Sequence, residues 1–126
     1  MPRVLLVDDD VALTRGLAIG LEALGHIVLT ATTANDGLTQ AELERPEVVV
    51  IDLGLPDLDG IELCRRVRER SSVPIVVLSA DGREDRKVTA FECGADDYVT
   101  KPFGLREFDA RLRVAQRHRS GSALSE

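Results

Sequence analysis

The chain has 126 residues, of which 44% are hydrophobic and 30% charged, and its net charge at pH 7 is −6. This composition is typical of one globular domain, and the negative charge argues against a nucleic-acid interface on the domain itself, because phosphate binding favours a basic surface. No apolar stretch approaches the roughly 20 residues of a membrane span, and a strand is predicted directly after the first residues, so we expect a cytoplasmic protein without a signal peptide.

Short apolar runs alternate with helical patterns along the chain. Strands are predicted at residues 4–7, 26–29, 47–51, 75–78 and 97–100. Apolar residues at helical spacing predict a helix after each strand, with faces at Leu13, Leu17, Leu21 and Leu24, at Leu38 and Ala41, at Ile61, Cys64 and Val67, at Val88 and Phe91, and at Leu105, Phe108, Leu112 and Ala115. Five such units predict an α/β fold, a doubly wound five-stranded parallel sheet of order 2-1-3-4-5 with five helices, like that of flavodoxin. The domain is expected to span residues 1–119, and residues 120–126 have linker composition.

A few polar residues receive ordinary structural interpretations. Cys64 and Cys93 lack metal-ligand spacing and are expected to be free, buried or half-buried thiols in helices. Asp10 is expected to cap the first helix. His26 has no carboxylate or hydroxyl partner in a motif, so its predicted place is the surface of the second strand.

Three carboxylates are predicted to meet at the carboxyl edge of the sheet, where open parallel sheets bind ligands. Asp8 and Asp9 follow the first strand and Asp52 ends the third, and the order 2-1-3-4-5 makes those strands neighbours. A divalent cation would relieve the repulsion between the carboxylates, and an all-oxygen ligand set favours Mg²⁺ or Mn²⁺.

The residues that end strands four and five, Ser79 and Lys101, would flank this cluster. Magnesium often binds through carboxylates together with a phosphate oxygen, a lysine can pair with phosphate oxygens, and a hydroxyl can donate to them. An aspartate can itself be the nucleophile and form an aspartyl phosphate. Because Asp52 lies at the centre of the sheet, it is the predicted phosphoacceptor.

Five motifs, each at a strand end, together resemble the receiver domain of bacterial two-component response regulators, with its CheY-like fold. They are Val7–Asp10, Asp52 with Leu55–Pro56 and Asp59–Gly60, Leu78–Ala80, Gly94–Tyr98, and Lys101–Phe103. The resemblance covers residues 3 to about 119. It implies a phosphorylation-controlled switch, with no external substrate, that accepts a phosphoryl group from a sensor histidine kinase.

The resemblance assigns roles to individual residues. Asp52 would accept the phosphoryl group, and Asp8, Asp9 and Asp52 would hold Mg²⁺ (or Mn²⁺) together with the backbone carbonyl of Gly54. Ser79 and Lys101 would bind phosphate oxygens. Tyr98 would be a switch residue that turns inward when Ser79 moves toward the phosphate, and the bond before Pro102 would be cis. Residues Leu13, Gly16, Pro102 and Phe103 would contact the kinase.

Subfamily features are also present. Gly94–Phe103, followed by Glu107, Arg111 and Arg113, resembles the OmpR/PhoB group, whose receivers form homodimers on phosphorylation through helix four, strand five and helix five. The matching salt-bridge positions pair Lys87 with Glu107 and Asp97 with Arg111. The family's third pair would join Asp96 to a basic residue, but this chain has His118 there, so the pair would be weak at neutral pH unless Arg117 or Arg119 substitutes. Residues 52–60 and 101–104 further resemble potassium-transport regulators of the KdpE type. In such a protein a DNA-binding domain would follow this chain and control transcription.

Three alternatives stay open. A stand-alone receiver would dock a protein target instead of carrying a DNA-binding domain. A Mg²⁺-dependent phosphohydrolase with an aspartyl phosphate would need a second acid at position 54, where this chain has glycine. A flavodoxin-like cofactor binder would need a Gly-, Ser- and Thr-rich loop after the first strand, where this chain has Asp8–Asp10. Related receivers often carry a larger residue where this chain has Gly54, and at position 79 Thr is as familiar in them as Ser.

Overall fold

The computed structural model describes the backbone of residues 3–124 and the side chains of residues 3–117. The strands are β1 (Arg3–Val7), β2 (Ile27–Ala31), β3 (Val48–Asp52), β4 (Ile75–Ser79) and β5 (Asp97–Thr100). The helices are α1 (Val11–Ala23), α2 (Ala34–Glu44), α3 (Gly60–Arg70), α4 (Glu84–Glu92) and α5 (Leu105–Leu124). All strand pairs are parallel and the order is β2-β1-β3-β4-β5, which confirms the predicted fold.

Both faces of the sheet are covered, which explains why the central strands are continuous apolar runs. Successive strand residues point to opposite faces, so Leu5 and Val7 pack toward α2 and α3 while Val4 and Leu6 pack toward α1 and α5. All five residues of β3 are buried. The predicted helical faces of α3 and α5 are largely buried as well, since Ile61, Cys64, Val67, Phe108, Leu112 and Ala115 all lie in the core.

Side-chain caps set where several helices begin. Asp10 caps α1, where its carboxylate accepts a hydrogen bond from the Leu13 amide at 3.0 Å, so the predicted role is confirmed. Thr33 caps α2 in the same way, and Asp59 caps α3. These caps matter for function because all three helices begin at the carboxyl edge of the sheet, beside the predicted site.

The prediction that Val88 and Phe91 anchor α4 is wrong. Each side chain is 47% exposed, and the buried residue of this helix is Ala90. Successive helical residues are rotated by about 100°, because a turn has 3.6 residues. Directing Ala90 at the sheet therefore turns Val88 and Phe91 toward solvent, and α4 presents an apolar surface.

The prediction that His26 lies on the strand surface is also wrong. The residue is only 2% exposed, just before β2, and its Nε2 lies 2.6 Å from Oδ1 of Asp109 on α5. Asp109 also accepts a hydrogen bond from Nε of Arg113 at 3.1 Å. The partner of His26 is 83 positions away in sequence and comes near only through packing of α5 against α1 and the sheet.

The C-terminal expectations are only partly covered by the structure. Helix α5 continues to Leu124, so a boundary near residue 119 stays a prediction. The side chain of His118 lies outside the described residues. Among residues 3–124, no helix combines the length and hydropathy that a membrane span requires.

Candidate functional site

The fold brings the three predicted carboxylates together at the carboxyl edge of the sheet. β1 pairs with β3 so that Val7 lies beside Ile51, and the residues that follow each of them are Asp8 and Asp52. One carboxylate oxygen each from Asp8, Asp9 and Asp52 lies within 4.8 Å of the others. Asp8 and Asp52 are buried and Asp9 is exposed, so the cluster opens to solvent on one side.

Asp8 is the least satisfied of the three carboxylates. Its Oδ1 accepts a hydrogen bond from the Asp10 amide at 2.9 Å, whereas its buried Oδ2 has no hydrogen-bond partner among the described residues. Burial raises the pKa of Asp8 and the negative charge of Asp52 adds to the increase, although the Asp10 amide opposes both. A buried oxygen without a partner, next to two further carboxylates, fits the ligand set of a hard divalent cation.

Lys101 provides the positive charge of the site. Its Nζ lies 2.9 Å from Oδ1 of Asp52 and 3.6 Å from Oδ2 of Asp8, which is too long for a hydrogen bond. Burial alone would lower the pKa of Lys101, but the hydrogen bond and charge of Asp52 and the charge of Asp8 raise it. The Lys101–Pro102 peptide bond is cis, as expected. The lysine is therefore charged at neutral pH and held against Asp52.

Ser79 and Tyr98 are linked through the backbone of Asp81. The amide of Asp81 donates to Oγ of Ser79 at 3.0 Å, and the Tyr98 hydroxyl donates to the carbonyl of Asp81 at 2.5 Å. Ser79 and Tyr98 are both buried, so in this structure the tyrosine faces inward. The ring of Tyr98 lies under Nζ of Lys87, at 6.0 Å from the ring centroid. The backbone of one residue, Asp81, thus connects the two residues with predicted switch roles, through its N–H on one side and its C=O on the other.

The loop between β3 and α3 is held at both ends. The Gly54 amide donates to Oδ2 of Asp52 at 3.0 Å. The side chain of Asp57 accepts hydrogen bonds from the amides of Ala34 and Asn35, which lowers the pKa of Asp57. This role of Asp57 was not predictable from the sequence, because an aspartate in a loop has no local signal that indicates a partner on another helix.

The residues of the expected dimer face have partners within this chain. Arg111 pairs with Asp97 at 3.0 Å and with Glu107 at 3.1 Å. Asp96 accepts hydrogen bonds from Arg68 at 3.0 Å and from the Ile75 amide at 2.8 Å. The expected pair of Asp96 with His118 cannot be placed, since the His118 side chain is outside the described range.

The expected kinase-contact positions share one groove of about 680 Å³ between α1 and the loop that follows β5, and it is lined by Leu13, Gly16, Pro102 and Phe103 among others. Gly16 and Pro102 are exposed, and Leu13 and Phe103 are half-buried. Lys101 also lines this groove, so a partner docked there would reach the edge of the carboxylate cluster.

Comparison with known proteins identifies the family. A family model described as the response regulator receiver domain matches residues 4–113. The chain belongs to the response regulator receiver family. The KDP operon transcriptional regulatory protein KdpE of Escherichia coli (strain K12) is 48% identical to this receiver over 126 residues, covering 100% of the chain and 56% of that protein.

Two further comparisons agree. The transcriptional regulatory protein KdpE of Mycobacterium tuberculosis (strain CDC 1551 / Oshkosh) is 46% identical, with 100% of this receiver and 56% of that protein covered. The crystal structure of a CheY-like receiver domain protein from Methanospirillum hungatei JF-1 is 28% identical, with a TM-score of 0.91 and coverage of 97% of this chain and 98% of that one.

The receiver spans about half the length of the curated relatives it matches. Those relatives place it among the OmpR/PhoB-family response regulators, a regulatory family and not a family of catalytic enzymes. The predicted family, subfamily and CheY-like fold are therefore confirmed.

Proposed function

We propose that this receiver accepts a phosphoryl group on Asp52 from a sensor histidine kinase, with Mg²⁺ bound beside it. Phosphorylation changes the surface formed by α4, β5 and α5, and the receiver dimerises through that surface. In the full-length protein a DNA-binding domain then acts on transcription. One observation carries the proposal: Asp8, Asp9 and Lys101 converge on the buried carboxylate of Asp52.

The contacts of Asp52 suit a phosphoacceptor. Its two oxygens are oriented by different groups, Oδ1 by Lys101 and Oδ2 by the Gly54 amide. Mg²⁺ held by Asp8, Asp9, Asp52 and the Gly54 carbonyl would neutralise the carboxylates and the incoming phosphoryl oxygens. Lys101 is close enough to transfer its hydrogen bond from Asp52 to a phosphoryl oxygen. Its positive charge would then stabilise the negative charge on the transferred group.

The link through Asp81 supports a route from the site to the surface. If the Ser79 hydroxyl turns toward a phosphoryl oxygen, its hydrogen bond with the Asp81 amide must change. The carbonyl of the same residue accepts the hydrogen bond of the Tyr98 hydroxyl, so a movement of the Asp81 backbone also reaches the tyrosine. Because Tyr98 lies on β5 beside Lys87 of α4, the change reaches the proposed dimer surface. The switch is then a population shift between two arrangements.

The exposed apolar residues of α4 support dimerisation through this surface. Val88 and Phe91 would be buried by a second copy. Ion pairs between Lys87 and Glu107, and between Asp97 and Arg111 of the two copies, would surround them. An exposed ion pair contributes only about 0–1 kcal/mol, so the apolar contact has to supply most of the affinity. Asp97 and Arg111 must exchange their present bond for one between copies.

The first experiment tests the phosphoacceptor. We expect intact mass spectrometry to show one added phosphoryl group after incubation with acetyl phosphate and Mg²⁺. The addition should be absent without Mg²⁺ and absent in Asp52→Ala. Lack of any addition to the wild-type receiver under all conditions would contradict the proposed function.

The second experiment tests the dimer. Sedimentation with beryllofluoride, a phosphoryl mimic, should show a dimer for the wild-type receiver and a weaker one for Phe91→Ala. Leu43→Ala is a matched control, because Leu43 is 74% exposed but lies on α2, away from the proposed surface. Equal dimerisation by Phe91→Ala and the wild-type receiver would argue against the α4–β5–α5 surface.

A further inference from the structure

Helix α2 has two caps at its N-terminus, one local and one remote. The hydroxyl of Thr33 accepts a hydrogen bond from the Asp36 amide at 3.1 Å, which is an ordinary local cap. Asp57, in the loop between β3 and α3, provides the remote cap. Its Oδ1 accepts a hydrogen bond from the Ala34 amide at 2.8 Å, and its Oδ2 accepts one from the Asn35 amide at 3.0 Å. Both carboxylate oxygens of Asp57 are therefore bound to a helix 22 residues or more away in sequence.

Helix α2, which donates these two hydrogen bonds to Asp57, is itself packed tightly on the sheet. Ala34, its first residue, is 1% exposed in the core. A Cβ on Gly37 would lie 2.8 Å from both γ-carbons of Val7, so the backbone of α2 packs directly on the last residue of β1. The next residue is Asp8, whose amide donates to the Ala31 carbonyl at 3.0 Å. Helix α2 therefore packs directly against the end of β1, the strand that positions Asp8.

The loop that holds Asp57 also carries Gly54, and its far end is equally constrained. A Cβ on Gly60 would lie 2.6 Å from the carbonyl oxygen of Asp52, so α3 begins in direct contact with the end of β3. Asp59 caps that helix through the Ile61 amide at 2.9 Å. Between these fixed ends, Asp57 ties the loop to α2, and α2 in turn packs on the end of β1.

We propose that Asp57 is a positioning residue, which holds the β3–α3 loop so that the Gly54 carbonyl faces the cation bound by Asp8 and Asp52. This role rests on the proposed function, since it requires that cation. Asp57 is not itself one of the three clustered carboxylates, and its negative charge is matched by the positive end of α2. It acts on the metal only through the backbone of Gly54.

The role can be separated from a general stabilisation of α2 by a matched pair of variants. Asp57→Ala and Thr33→Ala each remove hydrogen bonds from the N-terminus of α2, but only Asp57→Ala releases the loop. Calorimetric titration with Mg²⁺ should show about tenfold weaker binding for Asp57→Ala, the lower end of the loss typical for residues that orient metal ligands. Thr33→Ala should bind within about twofold of the wild-type receiver.

A second readout does not involve the metal. In metal-free protein, amide hydrogen exchange at Gly54 should be faster in Asp57→Ala than in the wild-type receiver, and unchanged in Thr33→Ala. Asp57→Asn keeps one acceptor oxygen and should give intermediate values in both measurements. If Asp57→Ala does not fold, the comparison of Asp57→Asn with Thr33→Ala decides the question.

The outcomes distinguish the two proposals. Absence of Mg²⁺ binding by the wild-type receiver would overturn the proposed function and this role with it. If the wild-type receiver binds Mg²⁺ but Asp57→Ala binds it as tightly as Thr33→Ala does, the proposed function stands and the positioning role of Asp57 is refuted. Weaker binding with faster Gly54 exchange, both confined to the Asp57 variants, supports the role.

Discussion

Removal of the buried His26 ring should destabilise the receiver strongly, although the residue is remote from the carboxylate cluster. The His26 side chain is fully buried, and that of Asp109 is 17% exposed. Because an ionised carboxylate only accepts hydrogen bonds, Nε2 donates to Oδ1 across the 2.6 Å contact. This bond joins the residue before β2 to the second turn of α5.

The size of the effect follows from two terms. A hydrogen bond to a charged group contributes about 1.5–3 kcal/mol. Replacing a large buried side chain by alanine leaves a cavity that costs about 2–5 kcal/mol by itself. The two terms together predict that His26→Ala lowers the free energy of unfolding by about 3.5–8 kcal/mol, a large part of the roughly 5–15 kcal/mol available to a domain.

A double-mutant cycle isolates the bond from the cavity. Urea unfolding of the wild-type receiver, His26→Ala, Asp109→Ala and the double variant should give a coupling energy of about 1.5–3 kcal/mol. A coupling energy below about 0.5 kcal/mol, the range of simple additivity, would refute the reasoning, because the two residues would then contribute independently.

The same pair predicts a pH dependence of stability. Burial alone would raise the pKa of Asp109, but its hydrogen bonds with His26 and Arg113 lower it below the ordinary value of 3.8. A carboxylate whose pKa is lowered by folding stabilises the folded state at any pH above its pKa in the unfolded chain. That contribution is lost as the pH falls through its pKa in the folded protein. The stability difference between the wild-type receiver and Asp109→Asn should therefore be constant near neutral pH and shrink below about pH 4. A difference that stayed constant to pH 3 would contradict this.

Three further predictions concern thiols, packing and catalysis. Burial raises the pKa of Cys64 to about 12, so iodoacetamide at pH 8 should modify only the half-buried Cys93 in the native receiver and both thiols in urea. Modification of both thiols in the native receiver would contradict this. Gly60→Ala would place a Cβ 2.6 Å from a backbone oxygen and should lower stability in a thermal melt by about 1–3 kcal/mol, whereas Gly16→Ala, with no atom within 4 Å of the new carbon, should not destabilise. Lys101→Ala should slow phosphorylation by acetyl phosphate about 100-fold, followed by intact mass over time, and an unchanged rate would exclude its role in charge stabilisation.

The sheet and its helices could be predicted from local patterns. Four or five consecutive β-branched or leucine residues indicate a strand buried on both faces, as in β3 and β4. β5 has no such run but was also placed at its observed residues, Asp97–Thr100. Other boundaries moved by a residue or two, as at β2, which begins at Ile27 and not at His26. Element ends depend on caps and on pairing, so they vary more than the element itself.

The carboxylate cluster was predictable for a different reason. Asp8, Asp52 and Lys101 are distant in sequence, but each ends a strand or follows one directly. In a parallel sheet all such ends share one edge, so strand order alone brings these side chains near each other. The order predicts that Lys101 flanks the cluster, but its 2.9 Å contact with Asp52 also depends on the long lysine side chain, because β4 lies between β3 and β5.

Other features could not be read from any local pattern. The bond from His26 to Asp109 and the cap from Asp57 to α2 join residues on elements that meet only after folding. The exposure of Val88 and Phe91 depends on which side of α4 faces the sheet.

The sequence by itself therefore determined the class of fold, the order of the strands and the residues gathered at the carboxyl edge, because those follow from periodicity and from parallel pairing. The tertiary structure alone decided which polar groups are buried together and which apolar groups stay exposed. Those outcomes depend on helix rotation and on close approach between distant segments, and one residue pattern is compatible with several such arrangements until the helices are packed on the sheet.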